Sequence, residues 1–278
     1  MRRAILKNRF AFCEMLKRVT CSVIFFSLLP AFSFAQYSSL ATQSGHEFGA
    51  SLSSYRYSEP GLIDIKSNSK AGLEYTGTYA FDSEWPNQYK GWFLKTELRY
   101  LTGKADYSSI STGSKSNVPD WYYEARILAG KDYPLDGYAL SPYIGFGYRY
   151  LFNDLRGSTT TNNKGYRRQS TYYSIPIGLT HKLNLSNQNQ LHTTIEYDYL
   201  VRGLQNTTLS DTGLGLSDVS HRQNSGYGLR LSSMVRFDKW TVGPSLIYWN
   251  IKDSDIVNGS FEPKNNTTEI GFKANYLF

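Results

Sequence analysis

Residues 269–278 read E-I-G-F-K-A-N-Y-L-F, and this stretch decides how the chain is interpreted. Apolar or aromatic side chains stand at every second position: Ile270, Phe272, Ala274, Tyr276 and Phe278. Polar residues or glycine fill the positions between them. Since the side chains of a strand point alternately to its two faces, the sequence predicts a terminal strand with one apolar face and one polar face.

The same alternation recurs along the chain. Strands are predicted near residues 46–57, 70–81, 91–106, 120–132, 139–154, 168–182, 190–202, 223–237, 240–252 and 267–278. An even number of alternating strands, each of about ten residues or more, is typical of a barrel with lipid outside and a polar lumen inside. The predicted fold class is therefore all-β, a transmembrane antiparallel up-and-down β-barrel of about ten strands. Eight longer or twelve shorter strands fit parts of the same pattern.

A leader precedes the predicted barrel. Basic residues, beginning with Arg2 and Arg3, stand before an apolar run, and small residues end at Ala35, before a predicted cut at Gln36. The apolar core of the leader is too short to remain as a membrane-spanning helix. We therefore predict a signal peptide at 1–35 and a barrel at 36–278.

Charge and cysteine content are read from the mature chain. Removing six of the 30 basic and one of the 23 acidic residues lowers the net charge from +7 to +2. This balance gives no reason to expect nucleic acid as a partner. Both cysteines, Cys13 and Cys21, lie in the leader. The mature chain therefore excludes disulfides and cysteine-ligated metals.

The connectors alternate between long and short. Long connectors rich in Ser, Thr, Asn and Gly are predicted at 58–69, 107–119, 156–167, 204–222 and 253–266. Shorter ones are predicted at 82–90, 133–138, 183–189 and 238–239. In an outer-membrane barrel the long loops face the exterior and the short turns face the periplasm, so both termini are expected to be periplasmic. The strands of a soluble β-sandwich also alternate between apolar and polar residues, but a sandwich would not explain the alternation of long and short connectors.

Charged residues share the face opposite the apolar one. They are Glu74, Lys95, Glu97, Arg99, Glu124, Arg126, Arg149, Glu196, Asp198, Arg202, Arg230, Glu269 and Lys273. A charge facing lipid at the midplane costs about 2–4 kcal/mol, so this set is predicted to line the lumen. Because acids and bases alternate in it, we predict a plug of ion pairs. A narrow channel lined by Arg99, Arg126, Arg149 and Arg230 is the alternative.

By size, leader and terminal Phe278, the chain resembles the small bacterial outer-membrane barrels of eight to twelve strands. Ten strands resemble the omptin proteases, and that resemblance implies an Asp pair and an Asp-x-His pair at the rim. The nearest candidates here are Asp218 and His221, three positions apart, with Asp211 in the same connector. Lipid-A-modifying barrels imply instead a Ser with a His, for which His221 with Ser217, Ser220 or Ser225 is available.

Metal and cofactor sites are not predicted. The four histidines, His46, His181, His192 and His221, have no spacing that suggests a metal site. The prediction for function is a structural or surface-interaction barrel of a Gram-negative outer membrane, reached through the periplasm. A narrow solute channel and a rim enzyme are the alternatives. The expected partners are outer-membrane lipid, lipopolysaccharide and the assembly machinery, which reads Tyr276 and Phe278 in the last strand.

Overall fold

The structure, a computed structural model, describes residues 40–81, 85–185 and 189–278. The predicted signal peptide lies outside the described residues. The strands are β1 (Gly45–Glu59), β2 (Ile63–Ala80), β3 (Trp92–Ser109), β4 (Gly113–Lys131), β5 (Tyr133–Pro134), β6 (Tyr138–Ser158), β7 (Lys164–Asn184), β8 (Gln190–Thr208), β9 (Val219–Gln223), β10 (Gly226–Phe237), β11 (Trp240–Ile251) and β12 (Asn265–Leu277). Two short 3-10 turns lie at Asn87–Tyr89 and Leu209–Thr212. None of the helices in these ranges is long and apolar enough to cross a membrane.

Ten of these strands form a closed antiparallel barrel, in which each strand pairs with its neighbours in sequence. The barrel closes where β1 pairs with β12. The short strands β5 and β9 pair only with β6 and β8, respectively, so they add no wall of their own. The prediction of an all-β, up-and-down barrel with about ten strands is confirmed.

The two ends of the barrel differ. Glu47 near the start of β1 pairs with Leu277 at the end of β12, and Trp240 after the two-residue turn at 238–239 pairs with Tyr276. The chain therefore enters and leaves the barrel at the end that carries the short turns. We call this the turn end, and the opposite end the loop end.

Three of the long connectors are shorter than predicted. Irregular structure occupies only 60–62 between β1 and β2, 110–112 between β3 and β4, and 159–163 between β6 and β7. Apolar residues occur in or beside the polar stretches that suggested loops, and four of them, Ile65, Tyr107, Val118 and Leu155, pack inside the barrel. The predicted lengths of these connectors are wrong because a barrel wall outside the membrane has a polar outer face.

The strands are longer than a bilayer requires. β6 has 21 residues, which correspond to roughly 70 Å along the strand at about 3.3 Å per residue. With a tilt of about 45°, the wall is roughly 50 Å tall, whereas the apolar band of such barrels is about 25 Å. The loop-end half of the wall therefore extends beyond the apolar band.

Aromatic rings border the apolar outer surface on both sides. Toward the loop end, the Trp121 ring lies 5.6 Å from Tyr150 and 6.0 Å from Tyr100. At the turn end, the Tyr276 ring lies 5.0 Å from Trp240 and 5.1 Å from Phe278. Exposed aliphatic and aromatic side chains between them include Leu52, Leu73, Ile127, Ile144, Phe146, Ile177, Ile195, Leu231 and Phe272. Such girdles are where rings fit the interface between water and hydrocarbon.

Candidate functional site

The middle of the lumen holds a network of buried ion pairs, and Arg99 of β3 joins its first part. Its Nε donates to Glu74 Oε1 at 3.0 Å and its Nη2 to Glu269 Oε1 at 2.6 Å. The Tyr122 hydroxyl accepts from Arg99 Nη1 at 2.6 Å and donates to Glu269 at 2.5 Å. Lys273 Nζ lies 3.0 Å from Glu74. These contacts link β2, β3, β4 and β12 across the interior.

Arg126 of β4 joins the second part. Its two terminal nitrogens donate to the two oxygens of Glu196 at 2.7 and 2.9 Å, and Nη2 lies 3.0 Å from Glu97. The Tyr143 hydroxyl donates to Glu196 at 2.6 Å. Gly178 makes room for this tyrosine, since a Cβ at that position would lie 2.2 Å from the ring. The arginine is thus bound by two carboxylates through charge-assisted contacts.

Arg230 of β10 completes the network. Its Nη1 and Nη2 both donate to Glu124 at 3.0 Å, and its Nε donates to Asp198 at 2.7 Å. Since β10 and β4 lie on separate parts of the wall, this arginine also spans the lumen. The network contains carboxylates and guanidiniums in close alternation, so it presents no field of a single sign.

Arg149 is held differently. Its guanidinium lies 4.5 Å from the Tyr122 ring and 5.7 Å from the Trp249 ring. The Nε–Oε1 distance to Glu124 is 3.3 Å, although Nε and Nη2 have no partner with hydrogen-bond geometry. Contact with aromatic faces therefore adds to the electrostatic stabilisation of this buried cation by Glu124.

Twelve of the thirteen predicted lumen residues point inward, and Arg202 does not. Tyr173 pairs with Arg202, but the next residue, Ser174, pairs with Leu200, so Val201 is an extra residue in β8. This bulge reverses the alternation, which leaves Arg202 exposed beside the outward-facing Tyr173. The prediction that Arg202 lies in the lumen is wrong for this reason. Tyr122 and Tyr143, which complete the network, have the same parity as its charged residues, and this signal was available in the sequence.

Apolar side chains fill the lumen between the network and the loop end. One buried cluster contains Tyr55, Leu101 and Tyr122; a second contains Tyr172, Leu200, Ile247, Trp249 and Ile251; a third contains Ile65, Ala105, Tyr107, Val118 and Leu155. Above them, Arg168 pairs with Glu59 at 2.7 Å and with Glu262. The interior of the loop-end half is therefore packed like a protein core.

The turn-end half of the lumen is hollow. A cavity of about 430 Å³ lies between the ion-pair network and the turn end. Its wall includes Lys95 of β3, Lys182 of β7, His192 of β8 and Arg236 of β10. We call it the turn-end chamber.

The segment before β1 is bound to the opposite wall of the chamber. Thr42 N donates to Asp132 Oδ2 at 2.5 Å, and Lys182 Nζ donates to Thr42 Oγ1 at 2.6 Å. Lys182 Nζ also donates to Asp132 at 2.7 Å, and the Ser141 hydroxyl donates to the same carboxylate at 2.5 Å. Residues 41–44 thus cross from β1 to Asp132, which follows β4, and to Lys182 of β7. We call them the strap.

The rim candidates do not form a catalytic arrangement. Asp211 accepts bonds from the Arg167 side chain at 2.8 Å, and these bonds lower the pKa of its carboxyl. Asp218 accepts from the Ser210 backbone N–H at 2.9 Å, which lowers its pKa as well. His221 is buried, and its Nε2 lies 3.1 Å from Ser260 Oγ. Neither carboxylate has a hydrogen bond or ion pair with His221.

Ser260 is the hydroxyl that sequence analysis missed, because 39 positions separate it from His221. Its hydroxyl donates to the Val257 carbonyl oxygen at 2.9 Å. A hydroxyl has one proton, so the N–H of His221 Nε2 donates to Ser260 Oγ. A histidine that donates to the serine is not its general base. The pair therefore holds the tip of the loop between β11 and β12 against β9.

Metal-ligand geometry is absent from the parts of the chain that the structure describes: 40–81, 85–185 and 189–278 contain no cluster of three or more His, Cys, Asp or Glu residues that could hold an ion. The candidate site is therefore the lumen itself, with a packed loop-end half and a charged chamber at the turn end.

Comparisons with known proteins support the fold. No protein-family model and no curated protein matches the sequence. The barrel is similar to the outer membrane protease OmpT from Escherichia coli, with 11% identity, coverage of 86% of this chain and 100% of that chain, and a TM-score of 0.57. The translocator domain of autotransporter NalP from Neisseria meningitidis has 10% identity, coverage of 98% and 96%, and a TM-score of 0.41. The protein is thus a ten-stranded closed barrel whose structural neighbours are bacterial outer-membrane barrels.

Proposed function

We propose that this protein is a barrel of a Gram-negative outer membrane that acts by contact with other surfaces, and is neither an open channel nor an enzyme. The apolar band between two aromatic girdles supports insertion in a bilayer. The polar wall beyond the band supports a loop end that faces the exterior. The turn end then faces the periplasm, through which the chain is exported.

Exposed apolar side chains at the loop end carry this proposal. Four of the loop-end connectors present them: Leu62 after β1, Ile110 after β3, Leu214 and Leu216 after β8, and Ile256 and Phe261 after β11. Ile110 is 87% exposed and Ile256 is 75% exposed. Single apolar residues on a surface are ordinary, but their recurrence at the tips of one end is typical of an interaction site.

The packed lumen argues against a channel. A barrel of about ten strands has an interior that side chains can fill, and open aqueous pores are found at about 16 strands or more. Here buried apolar clusters fill the loop-end half, and mixed charges cross the middle. Selective conduction needs an open path with a defined field.

An enzyme at the rim has less support. The E. coli barrel of similar fold is named a protease, but Asp211 and Asp218 are bound to Arg167 and Ser210 here, away from His221. The Ser260 hydroxyl donates its hydrogen bond to the Val257 carbonyl oxygen. No water-activating or nucleophilic pair follows from these contacts.

The proposed partners follow from the surfaces. Membrane lipid covers the apolar band, and lipopolysaccharide surrounds the loop-side girdle and the wall beyond it. The assembly machinery recognises the last strand through Tyr276 and Phe278. The apolar tips contact a further surface outside the cell, such as extracellular matrix or another cell.

The test is adhesion of bacteria that display the barrel. The variant Ile110→Ser/Leu214→Ser/Ile256→Ser/Phe261→Ser is expected to reduce attachment to immobilised matrix proteins and to hydrophobic beads severalfold, because it removes apolar contact area. Thr160→Ser/Thr161→Ser, at the remaining tip, is the control and should attach like the wild type. Equal attachment of the apolar-tip variant and the wild type, at equal surface amounts, would reject the proposal.

A further inference from the structure

We propose that the turn-end chamber binds a small polyanion that carries two or more phosphate or carboxylate groups. Lys95 and Arg236 supply the excess positive charge, and Lys182, whose charge is offset by Asp132, lies beside them. This inference does not depend on the proposed surface function, since the chamber and the apolar tips lie at opposite ends of the barrel.

The three cations converge although they come from different strands. The Lys95 and Lys182 ammonium groups each lie 5.9 Å from the ring centre of Phe93. Lys182 pairs in register with His192, and Arg236 pairs with Gln190, two residues before that histidine on the same face of β8. The side chains therefore reach the chamber at neighbouring levels of the wall.

Two of these cations form no direct salt bridge in the part of the chain that the structure describes, although Lys95 lies near enough to Glu97 for their charges to attract. Among residues 40–81, 85–185 and 189–278, neither Lys95 nor Arg236 has an ion-pair partner, whereas Lys182 is paired with Asp132. The lumen network shows the contrast, because every arginine in it lies against at least one carboxylate. Unpaired cations thus occur where there is space for a ligand.

The other charges of the chamber leave this region positive. Glu74 and Glu97 belong to the lumen network, where Lys273 and Arg126 hold them. Glu47 lies on β1, across the barrel from Lys182, and Asp238 is exposed in the turn. His192 Nε2 donates to Gln190 Oε1 at 3.0 Å, and this residue adds no negative charge.

The surroundings strengthen attraction for an anion. The wall behind the three cations is apolar on its outer face, where Leu94, Leu179 and Phe237 are exposed. Charges beside a low-dielectric wall interact more strongly than charges in bulk water. Like charges that converge there repel one another, and a bound polyanion would relieve this repulsion.

Size and access fit a small solute. The chamber volume of about 430 Å³ falls within the range of ligand pockets, about 300–1,000 Å³. Packed side chains close the lumen toward the loop end, so the ligand enters from the turn end. Thr42 of the strap is bonded to Lys182 at this mouth. The strap therefore limits entry to molecules that fit beside it.

The experiment is isothermal titration calorimetry on the full, folded barrel in detergent at low ionic strength. Pyrophosphate and citrate are the two probes, because they separate phosphate from carboxylate recognition. Sucrose is the uncharged control. We expect saturable binding of at least one of the two anions, and weaker binding as salt is added. No saturable heat with either anion would overturn the proposal.

Variants test whether the anion binds in the turn-end chamber. Lys95→Gln/Arg236→Gln is expected to bind the anion at least about tenfold more weakly than the wild type, since two charged contacts are lost. Lys239→Gln removes an exposed cation at the same end and should bind like the wild type. The single variants Lys95→Gln and Arg236→Gln give the same test if the double variant does not fold. Unchanged affinity in the folded chamber variants would assign the heat to another surface and overturn the proposal.

Discussion

The Arg126 guanidinium and the Glu196 carboxylate form two parallel hydrogen bonds across the lumen, at 2.7 and 2.9 Å. Arg126 belongs to β4 and Glu196 to β8, and β6 and β7 separate these strands in the wall. Both side chains are almost fully buried. The pair therefore braces two sides of the barrel from within, and its loss should be felt by the whole fold.

Removal of one partner is expected to destabilise the barrel. Arg126→Ala should lower the free energy of unfolding by about 3–5 kcal/mol, because Glu196 is left buried with less counter-charge. The measurement is urea unfolding in liposomes, followed by tryptophan fluorescence. Arg56→Ala is the control: Arg56 is in an exposed ion pair with Asp64, and surface pairs contribute about 0–1 kcal/mol. Similar losses in the two variants would contradict the bracing role.

A charge introduced on the outer face of β8 should lower stability more than a charge introduced on its inner face. Tyr197 is 42% exposed on the apolar band, whereas Thr194 faces the chamber. Tyr197→Arg is expected to cost about 2–4 kcal/mol more than Thr194→Arg, because only the first places a charge in hydrocarbon. Unfolding of both variants in liposomes checks this difference. Equal costs would mean that the band does not face lipid.

The last residue is expected to matter for assembly. The Phe278 ring lies 5.5 Å from Phe48, and its backbone N–H donates to the His46 carbonyl oxygen at 3.0 Å. Deletion of Phe278 opens the seam between the first and last strands and should reduce outer-membrane insertion. Heat-modifiable gel mobility gives the folded fraction. Leu135→Ala, in an exposed turn, is the control, and normal insertion of the deletion variant would refute the expectation.

The lumen is expected to be closed to ions. Planar-bilayer recordings of the wild type should show little or no steady conductance. Arg126→Ala/Glu196→Ala should enlarge the chamber but remain closed, because the buried rings of Tyr122 and Trp249 stay in place. If the ion pairs alone closed the lumen, this double variant would conduct ions. Its conductance therefore distinguishes a lumen closed by ion pairs from one closed by packed side chains. Large, stable wild-type channels would favour the channel alternative.

The strap should be held at neutral pH and released in strong acid. Burial raises the pKa of Asp132, but Lys182 and the hydrogen bonds of Ser141 and Thr42 outweigh it, so the pKa lies below its usual value. The stabilisation is therefore present above the unfolded-state pKa of about 3.9 and is lost as pH falls through the lower folded-state pKa. A spin label at Ala41 reports release. Asp132→Asn should mobilise the label at pH 7, and Asp136→Asn is the control.

The sequence by itself determines the class of fold and most of the assignment of faces. Residues that alternate with a period of two must lie on opposite sides of a strand, so Ile270 and Lys273 already separate lipid from lumen. This local rule fails where the backbone is locally irregular. The bulge at Val201 has no signature in the alternation, and for this reason Arg202 is on the outer surface.

Only the tertiary structure decides which charges meet and where space remains. Arg126 and Glu196 are 70 positions apart, and their contact depends on barrel closure, strand tilt and register. The same closure brings Thr42 to Asp132 and leaves Lys95 and Arg236 facing an open chamber. Alternation specifies direction from the wall, but contact across the lumen depends on the position of every strand around the ring.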